Sequence, residues 1–241
     1  MNTLRILLNI LFLAFLVSSI QAQPPDLKAI LEKNKKSYFD KINQFNEENK
    51  KLEPNKKYVV LFGDSLTQGF NIEQYFKGKP VLNRGISGDT IGTVPDDYRG
   101  LLKRLDSSCF NCQPSHIFIL IGVNDINDGR PIDELINGYK ELLEKIKQGC
   151  PDTKIFVQSA LPARDKYAKL NEKIIEYNTK LKKLADEMKV EYIDLYSLMK
   201  DEKGELKAEF TGDGIHIKEP AYQIWKKEIL KRVDASIIQD K

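Results

Sequence analysis

Histidine is scarce in this 241-residue chain, which contains only His116 and His216. Any imidazole that acts as a base must be one of these two, and a metal centre built on several histidines is excluded. Cysteine is nearly as rare: Cys109, Cys112 and Cys150 are too few for a disulfide-framework fold or a four-thiolate zinc site. Cys109-x-x-Cys112 with His116 supplies three candidate ligands, but no fourth follows at a matching spacing. No charge of one sign dominates. The 38 basic residues are interspersed with 35 acidic ones for a net +3, which argues against a nucleic-acid-binding stripe. G-x-G-x-x-G does not occur and no Gly-Lys pair follows Gly63, so dinucleotide and P-loop phosphate cradles are excluded. Internal repeats, low-complexity tracts and interdomain linkers are also absent.

The one long apolar run, 6–17, is broken only by Asn9 and is shorter than the roughly 20 residues a membrane-spanning helix needs. Arg5 precedes it and the small residues of 18–22 follow. This layout predicts a secretory signal peptide over 1–22, cut after Ala22, and a secreted or periplasmic mature protein; a retained membrane anchor is the competing reading. No cysteine stands at the cut, which argues against a lipid-anchored lipoprotein.

What remains is 41% hydrophobic across the chain, enough for one sizeable α/β core. From 26 to about 52, Leu27, Leu31, Tyr38, Ile42, Phe45 and Leu52 share one helix face, predicting a lead-in helix within 23–56 that packs on the main domain. It ends before Pro54. From 57 to 241 strand and helix patterns alternate. Continuously apolar runs at 58–62, 116–121 and 154–158, with weaker ones at 80–83 and 190–194, suit strands covered on both faces. Helical stripes are expected at 96–107, 132–148, 166–189 and 219–238. The fold class is therefore α/β with a parallel, three-layer sheet. Cys112 and Cys150 each lie five residues before a strand, so they should reach the same sheet edge. That predicts a Cys112–Cys150 disulfide, with Cys109 able to take the place of Cys112.

Ligands of open parallel sheets bind beyond the carboxyl ends of the strands, so the residues after each strand carry the functional information. Gly63-Asp64-Ser65-Leu66-Thr67 follows the first, 83–90 the second, and Gly122-Val123-Asn124-Asp125 the third; Asp213-Gly214-Ile215-His216 arrives late. Ser65 is the candidate nucleophile, but a serine hydroxyl needs a base. His116 opens a strand at the opposite end of the sheet, which leaves His216. Asp213, three residues earlier, can hold its Nδ1–H. The oxyanion would take the backbone N–H groups of Ser65 and Gly88 and the amide of Asn124. Arg164, after the fourth strand, is a candidate pocket residue for an anionic group; the plainer reading pairs it with Asp165. A G-x-S-x-G elbow is excluded because Thr67 stands where its second glycine belongs.

These four blocks resemble those of the SGNH hydrolases, the GDSL lipase/esterase superfamily, over about 57 to the end. Gly63–Thr67 matches GDS-Leu-Thr, Gly88 the glycine of the second block (Gly85 lies nearby), Gly122-x-Asn124-Asp125 the GxND block, and Asp213-x-x-His216 the DxxH block. Within the superfamily the chain is similar to bacterial secreted esterases and to platelet-activating-factor acetylhydrolase subunits. The resemblance implies a flavodoxin-like fold with strand order 2-1-3-4-5, and an open site that needs no metal or cofactor. It also implies a bracing role behind the oxyanion loop for Asp64, with Asp125 beside it. The expected activity is hydrolysis of carboxylic esters with small acyl groups, such as O-acetylated carbohydrates. Lysophospholipids, acyl thioesters or a non-catalytic binding role are the alternatives.

Overall fold

A computed structural model describes residues 26–238, so the expected signal segment falls outside the described residues. After α1 (Leu27–Asn49) comes β1 (Tyr58–Gly63), which turns directly into the single-turn α2 (Ser65–Gln68). The order continues through β2 (Val81–Gly85), α3 (Leu105–Ser108), β3 (Pro114–Leu120), α4 (Val123–Asn127) and α5 (Ile132–Gly149). β4 (Lys154–Gln158), α6 (Asn171–Glu187), β5 (Glu191–Ile193) and α7 (Glu219–Leu230) complete the frame. The five strands form one sheet in the order β2-β1-β3-β4-β5, and every neighbouring pair is parallel. Among the described residues no helix is long and apolar enough to cross a membrane.

The central strand β1 and the second half of β3 are continuously apolar because both faces are covered. Val60 and Phe62 of β1 join Ile117 and Ile119 of β3 in a layer with Leu142, Leu143 and Ile146 of α5 and Ile174 and Leu181 of α6. The alternate residues Val59, Leu61, Phe118 and Leu120 face the other way, against Phe70 and against Trp225 and Ile229 of α7. Each such fully buried side chain contributes about 1.5–3 kcal/mol relative to exposure, and the two layers together fix the strand register.

The expected helix at 96–107 is not formed. The chain instead runs as a loop to a short 3-10 turn, Leu101–Lys103, and then α3. The N–H groups of Leu101 and Leu102 return to the carbonyls of Thr90 and Ile91 rather than to their own preceding turn. Gly92 and Gly100 touch at this crossing: a Cβ on Gly100, at φ +144°, would lie 2.3 Å from Gly92 Cα. A helix cannot pass through that backbone. The expected helix at 166–189 begins with a 3-10 stretch, Asp165–Leu170, and the one at 219–238 is interrupted after Leu230.

α1 is divided between two units at Lys36/Ser37. In its first part Leu27 and Leu31 are 72% and 61% exposed, so the apolar stripe read from the sequence is buried only from Tyr38 onward. Tyr38 and Phe45 pack with Ile86. Arg84, buried on the edge strand β2, reaches Glu48 Oε2 at 2.6 Å and Asn49 Oδ1 at 2.9 Å, with its guanidinium over the Phe45 ring. The second half of α1 thus covers a sheet edge that would otherwise be open to pairing.

The Cys112–Cys150 expectation is corrected. All three thiols are free and buried, and the sulfur nearest Cys150 belongs to Cys109, at 3.9 Å. Cys112 Sγ meets Asn49 Oδ1 at 3.4 Å instead. Counting five residues back from Ile117 takes the chain as extended, but β3 already begins at Pro114 and the 3-10 turn Phe110–Cys112 coils the residues before it. A helical turn advances about half as far per residue as a strand, so the coiled segment brings the earlier cysteine alongside.

Candidate active site

Ser65 sits where β1 ends and α2 begins, on the rim that also receives the ends of β2 and β3. Asp64 caps α2: its Oδ1 accepts the N–H of Leu66 at 3.0 Å, and this fixes the turn that presents Ser65. The turn needs Gly63, since a Cβ there would lie 2.2 Å from the carbonyl oxygen of Leu120. Asp213 and His216 come from the loop before α7. Thr211 Oγ1 accepts the N–H groups of Asp213 and Gly214, a tight turn that swings the next residues toward Ser65.

His216 Nε2 lies 3.1 Å from Ser65 Oγ, and His216 Nδ1 lies 2.7 Å from Asp213 Oδ2. The other Asp213 oxygen accepts the backbone N–H groups of Ile215 at 3.0 Å and His216 at 2.9 Å. Partial burial raises the Asp213 pKa, but the hydrogen bonds from His216 and these two N–H groups outweigh it and hold the carboxyl well below its ordinary range. The carboxylate therefore stays charged beside the imidazole. The site is open, with the side chains of His216 and Asp213 still 55% and 50% exposed. His116 is excluded from it: buried in β3, it bonds Ser115 Oγ through Nδ1 and stacks on Phe156.

The two glycines of the second block have separate tasks. Gly85 ends β2 against α2, where a Cβ would lie 2.2 Å from Gln68 N, so its missing side chain permits close packing. Gly88 has φ +75° and open space where a Cβ would stand. Among the described residues no protein acceptor meets its N–H, whereas its carbonyl is taken by Arg99 Nη1 at 2.9 Å. The first-turn N–H of Ser65 is likewise without a protein acceptor. Asn124, in the first turn of α4, gives one amide hydrogen to the carbonyl of Asp89 at 2.8 Å, leaving the other for a ligand. Ser65, Gly88 and Asn124 thus sit on three adjoining loops at the carboxyl ends of β1, β2 and β3, each with a donor to spare.

Behind this rim lies a buried set of charges. Asp89 and Arg104 are both fully buried and paired at 2.7 Å. Arg104 also donates to the carbonyls of Gly63 and Arg84, tying the ends of β1 and β2 together. Asp125 accepts the N–H of Ile91 through both oxygens, which braces the loop that carries Gly88. Burial pushes Asp64 and Asp125 each up to about 7, and repulsion from Asp89 adds to it. Gln68 Oε1 accepts the N–H of Ser87, holding the same loop from α2.

Arg104, Arg99 and Gln68 were not singled out in the sequence. The two arginines fall in a stretch that reads as an amphipathic helix, where arginine signals solvent, and Gln68 carries no signal beyond its closeness to Ser65. Arg164 is placed differently from expectation. Its guanidinium pairs with Asp201 Oδ2 at 2.8 Å and the carbonyl of Leu206 at 3.0 Å, with Asp165 more distant at 3.9 Å. Three carboxylates within reach (Asp165, Asp201 and Glu205) leave little positive charge for an anionic substrate. Its backbone N–H instead holds the carbonyl of Gly214, inside the loop that carries Asp213 and His216.

The chain is similar to several known proteins. Over 209 residues, 73% of this chain and 85% of the relative, it is 25% identical to the isoamyl acetate-hydrolyzing esterase of Saccharomyces cerevisiae. It is 30% identical over 152 residues to the human platelet-activating factor acetylhydrolase IB subunit alpha2, covering 60% of each chain. The solved structure of a GDSL-like lipase from Bacteroides thetaiotaomicron superposes with a TM-score of 0.69 at 25% identity, covering 79% of this chain and 95% of the other. Residues 61–224, which include all four blocks, match the GDSL-like lipase/acylhydrolase family, and the chain belongs to that family.

Proposed function

We propose that the chain is an exported serine esterase that removes small acyl groups, acetyl above all, from alcohols such as O-acetylated carbohydrates. The observation that carries this reading is the Asp213–His216–Ser65 relay, with contacts of 2.7 and 3.1 Å. His216 Nε2 takes the Ser65 proton as Oγ attacks the acyl carbon, and Asp213 stabilises the imidazolium that forms. The negative oxygen is met by the N–H groups of Ser65 and Gly88 and the amide of Asn124. His216 then protonates the departing alcohol, leaving an ester on Ser65. Water, deprotonated by His216, hydrolyses that ester to the carboxylic acid and restores the serine hydroxyl. Asp64 and Asp125 act behind the reacting groups by holding the turn at Ser65 and the loop at Gly88.

The preference for acetyl rests on two relatives, both named for acetyl-ester hydrolysis. The test is hydrolysis of nitrophenyl acetate, butyrate and octanoate by the chain lacking 1–22, together with labelling by a fluorophosphonate. Acetate should be the best substrate, and both turnover and labelling should vanish in Ser65→Ala. Turnover that survives in Ser65→Ala would overturn the mechanism, and a preference for octanoate would overturn the small-acyl assignment. Release of acetate from acetylated oligosaccharides, compared with fatty acid from lysophospholipids, separates the substrate classes.

Export rests on the 1–22 pattern, and amino-terminal sequencing of the mature protein tests it: a first residue of Gln23 is expected. In an oxidising compartment the thiols placed to join are Cys109 and Cys150. Peptide mapping without reductant should find that pair and a free Cys112; three free thiols would refute it.

A further inference from the structure

Asp89 follows Gly88 and is the hub of the loop that would hold the oxyanion. Its carbonyl accepts the Asn124 amide at 2.8 Å, and its Oδ2 accepts Arg104 Nε at 2.7 Å. Its remaining oxygen, Oδ1, accepts the N–H of Thr90 at 3.0 Å and, from the middle of α1, the hydroxyl of Tyr38 at 3.2 Å. The same hydroxyl accepts the N–H of Gly100 at 3.0 Å. Tyr38 therefore clamps the two ends of the 89–100 loop with one oxygen, which accepts from the Gly100 N–H and donates to Asp89, with the Gly100 carbonyl at 3.5 Å as a second acceptor. Its ring is buried, edge-on to Phe39 and Tyr98, so the phenol has no solvent to turn toward. Burial and the adjacent Asp89 carboxyl push the phenol well above its ordinary range, so it remains a donor at any working pH. Tyr38 lies outside the residues that match the family, 61–224.

We propose that Tyr38 is a positioning residue for ester hydrolysis, which acts through Asp89. By fixing the Asp89 side chain, Tyr38 fixes the Asp89 carbonyl that aims Asn124 and the Gly88 N–H that precedes it. This rests on the esterase reading above. A residue that only anchored α1 would affect stability, whereas a residue that aims two oxyanion donors affects the transition state. Substrate binding, which does not yet involve the oxyanion, should be spared.

The test uses Tyr38→Phe, which removes one oxygen and keeps the ring. Removing an oxyanion donor outright costs on the order of 100-fold or more, so misaiming donors should cost less, about 5–30-fold in kcat with KM within about twofold. Inhibition by phenylboronic acid, whose tetrahedral adduct on Ser65 presents an oxygen to the same donors, should weaken by a similar factor. In an Asn124→Ala background, Tyr38→Phe should cost clearly less than in wild type, because one of the two donors it aims is gone. Phe39→Leu, a neighbouring packing change, should leave kcat within about twofold of wild type. Four outcomes overturn the proposal: a Tyr38→Phe enzyme with a lower melting temperature but unchanged kcat and boronate affinity; a fully additive loss with Asn124→Ala; a loss in Phe39→Leu equal to that of Tyr38→Phe; or a Tyr38→Phe chain that does not fold. A wild-type chain with no turnover and no fluorophosphonate labelling overturns the esterase reading itself, which separates that failure from these four.

Discussion

Asp213→Asn is the substitution whose consequence the geometry fixes most tightly. One Asp213 oxygen is committed to the N–H groups of Ile215 and His216, at 3.0 and 2.9 Å, and the other faces His216 Nδ1 at 2.7 Å. An amide in this place must turn its oxygen toward the two backbone donors, which points its NH2 at Nδ1. Nδ1 must then accept, the ring proton moves to Nε2, and no lone pair remains for the Ser65 proton 3.1 Å away. Flipping the amide restores the tautomer but forfeits two hydrogen bonds of about 0.5–1.5 kcal/mol each. The imidazolium also loses its counter-charge. At about 4 Å that attraction is worth about 1 kcal/mol in water and about 4 kcal/mol at a protein surface, and a half-exposed pair lies between these limits. Together the two effects amount to about 2–7 kcal/mol, or about 30-fold to 10⁵-fold in kcat at 1.36 kcal/mol per decade. KM should stay within about threefold, since neither effect involves ground-state binding. The assay is steady-state hydrolysis of nitrophenyl acetate, with active sites counted by fluorophosphonate labelling. Formate should partly rescue Asp213→Ala, because the carboxylate position is open to solvent, and should not rescue Asp213→Asn, whose amide fills it. A loss of less than tenfold in Asp213→Asn would refute the tautomer argument.

The buried carboxyls make a prediction about pH. Asp64 and Asp125 lie near 7 in the folded protein, against 3.8 ordinarily, so between about pH 4 and 7 the folded state keeps protons that the unfolded chain releases. Their contribution to stability is full below pH 4 and is lost as pH rises toward 7. His116, lowered by burial, acts in the opposite sense below about 6.5, so the comparison is between wild type and Asp64→Asn. Melting temperature should fall less steeply from pH 5 to 7.5 in the variant, and parallel curves would contradict the assignment. The depressed carboxyl of Asp213 works the other way: its contribution is present above about pH 4 and is lost only in stronger acid. Phe45→Ala empties the space beneath the Arg84 guanidinium and should cost about 3–5 kcal/mol. In a chain of this size that lowers the melting temperature by roughly 6–20 °C, and a shift below 3 °C would mean that α1 is not part of the cooperative fold. Gly122→Ala should misfold or melt much lower, since at φ +118° its Cβ would meet the Tyr177 ring at 2.7 Å.

The sequence by itself determined the α/β alternation, the five strands and the residues of the relay. Those features are written in local pattern: unbroken apolar runs for strands buried on both faces, and polar residues immediately after them. The scarcity of histidine then left one candidate base, and the fold places it 3.1 Å from Ser65. The sequence prefers Gly88 to the nearby Gly85, and backbone approach gives the two separate places: Gly85 packs against α2, and Gly88 has an N–H that no protein acceptor meets among the described residues.

Only the tertiary structure decided matters that depend on contacts distant in sequence. Residues 96–107 carry a helical apolar period, but the N–H groups that would continue a helix bond to Thr90 and Ile91 instead. Arg104 looks like a solvent-facing residue and is fully buried because Asp89 and two strand-end carbonyls satisfy it. Arg164 reads as paired with Asp165 or as open to an anionic group, and its nearest carboxylates are those of Asp201 and Glu205, 37 and 41 positions later. Tyr38 reads as one more residue of a packing stripe, and its hydroxyl reaches Asp89 across 51 positions. Periodicity reports which face of an element is buried; the partner a polar group finds there is set by how the chain returns, which no local pattern records.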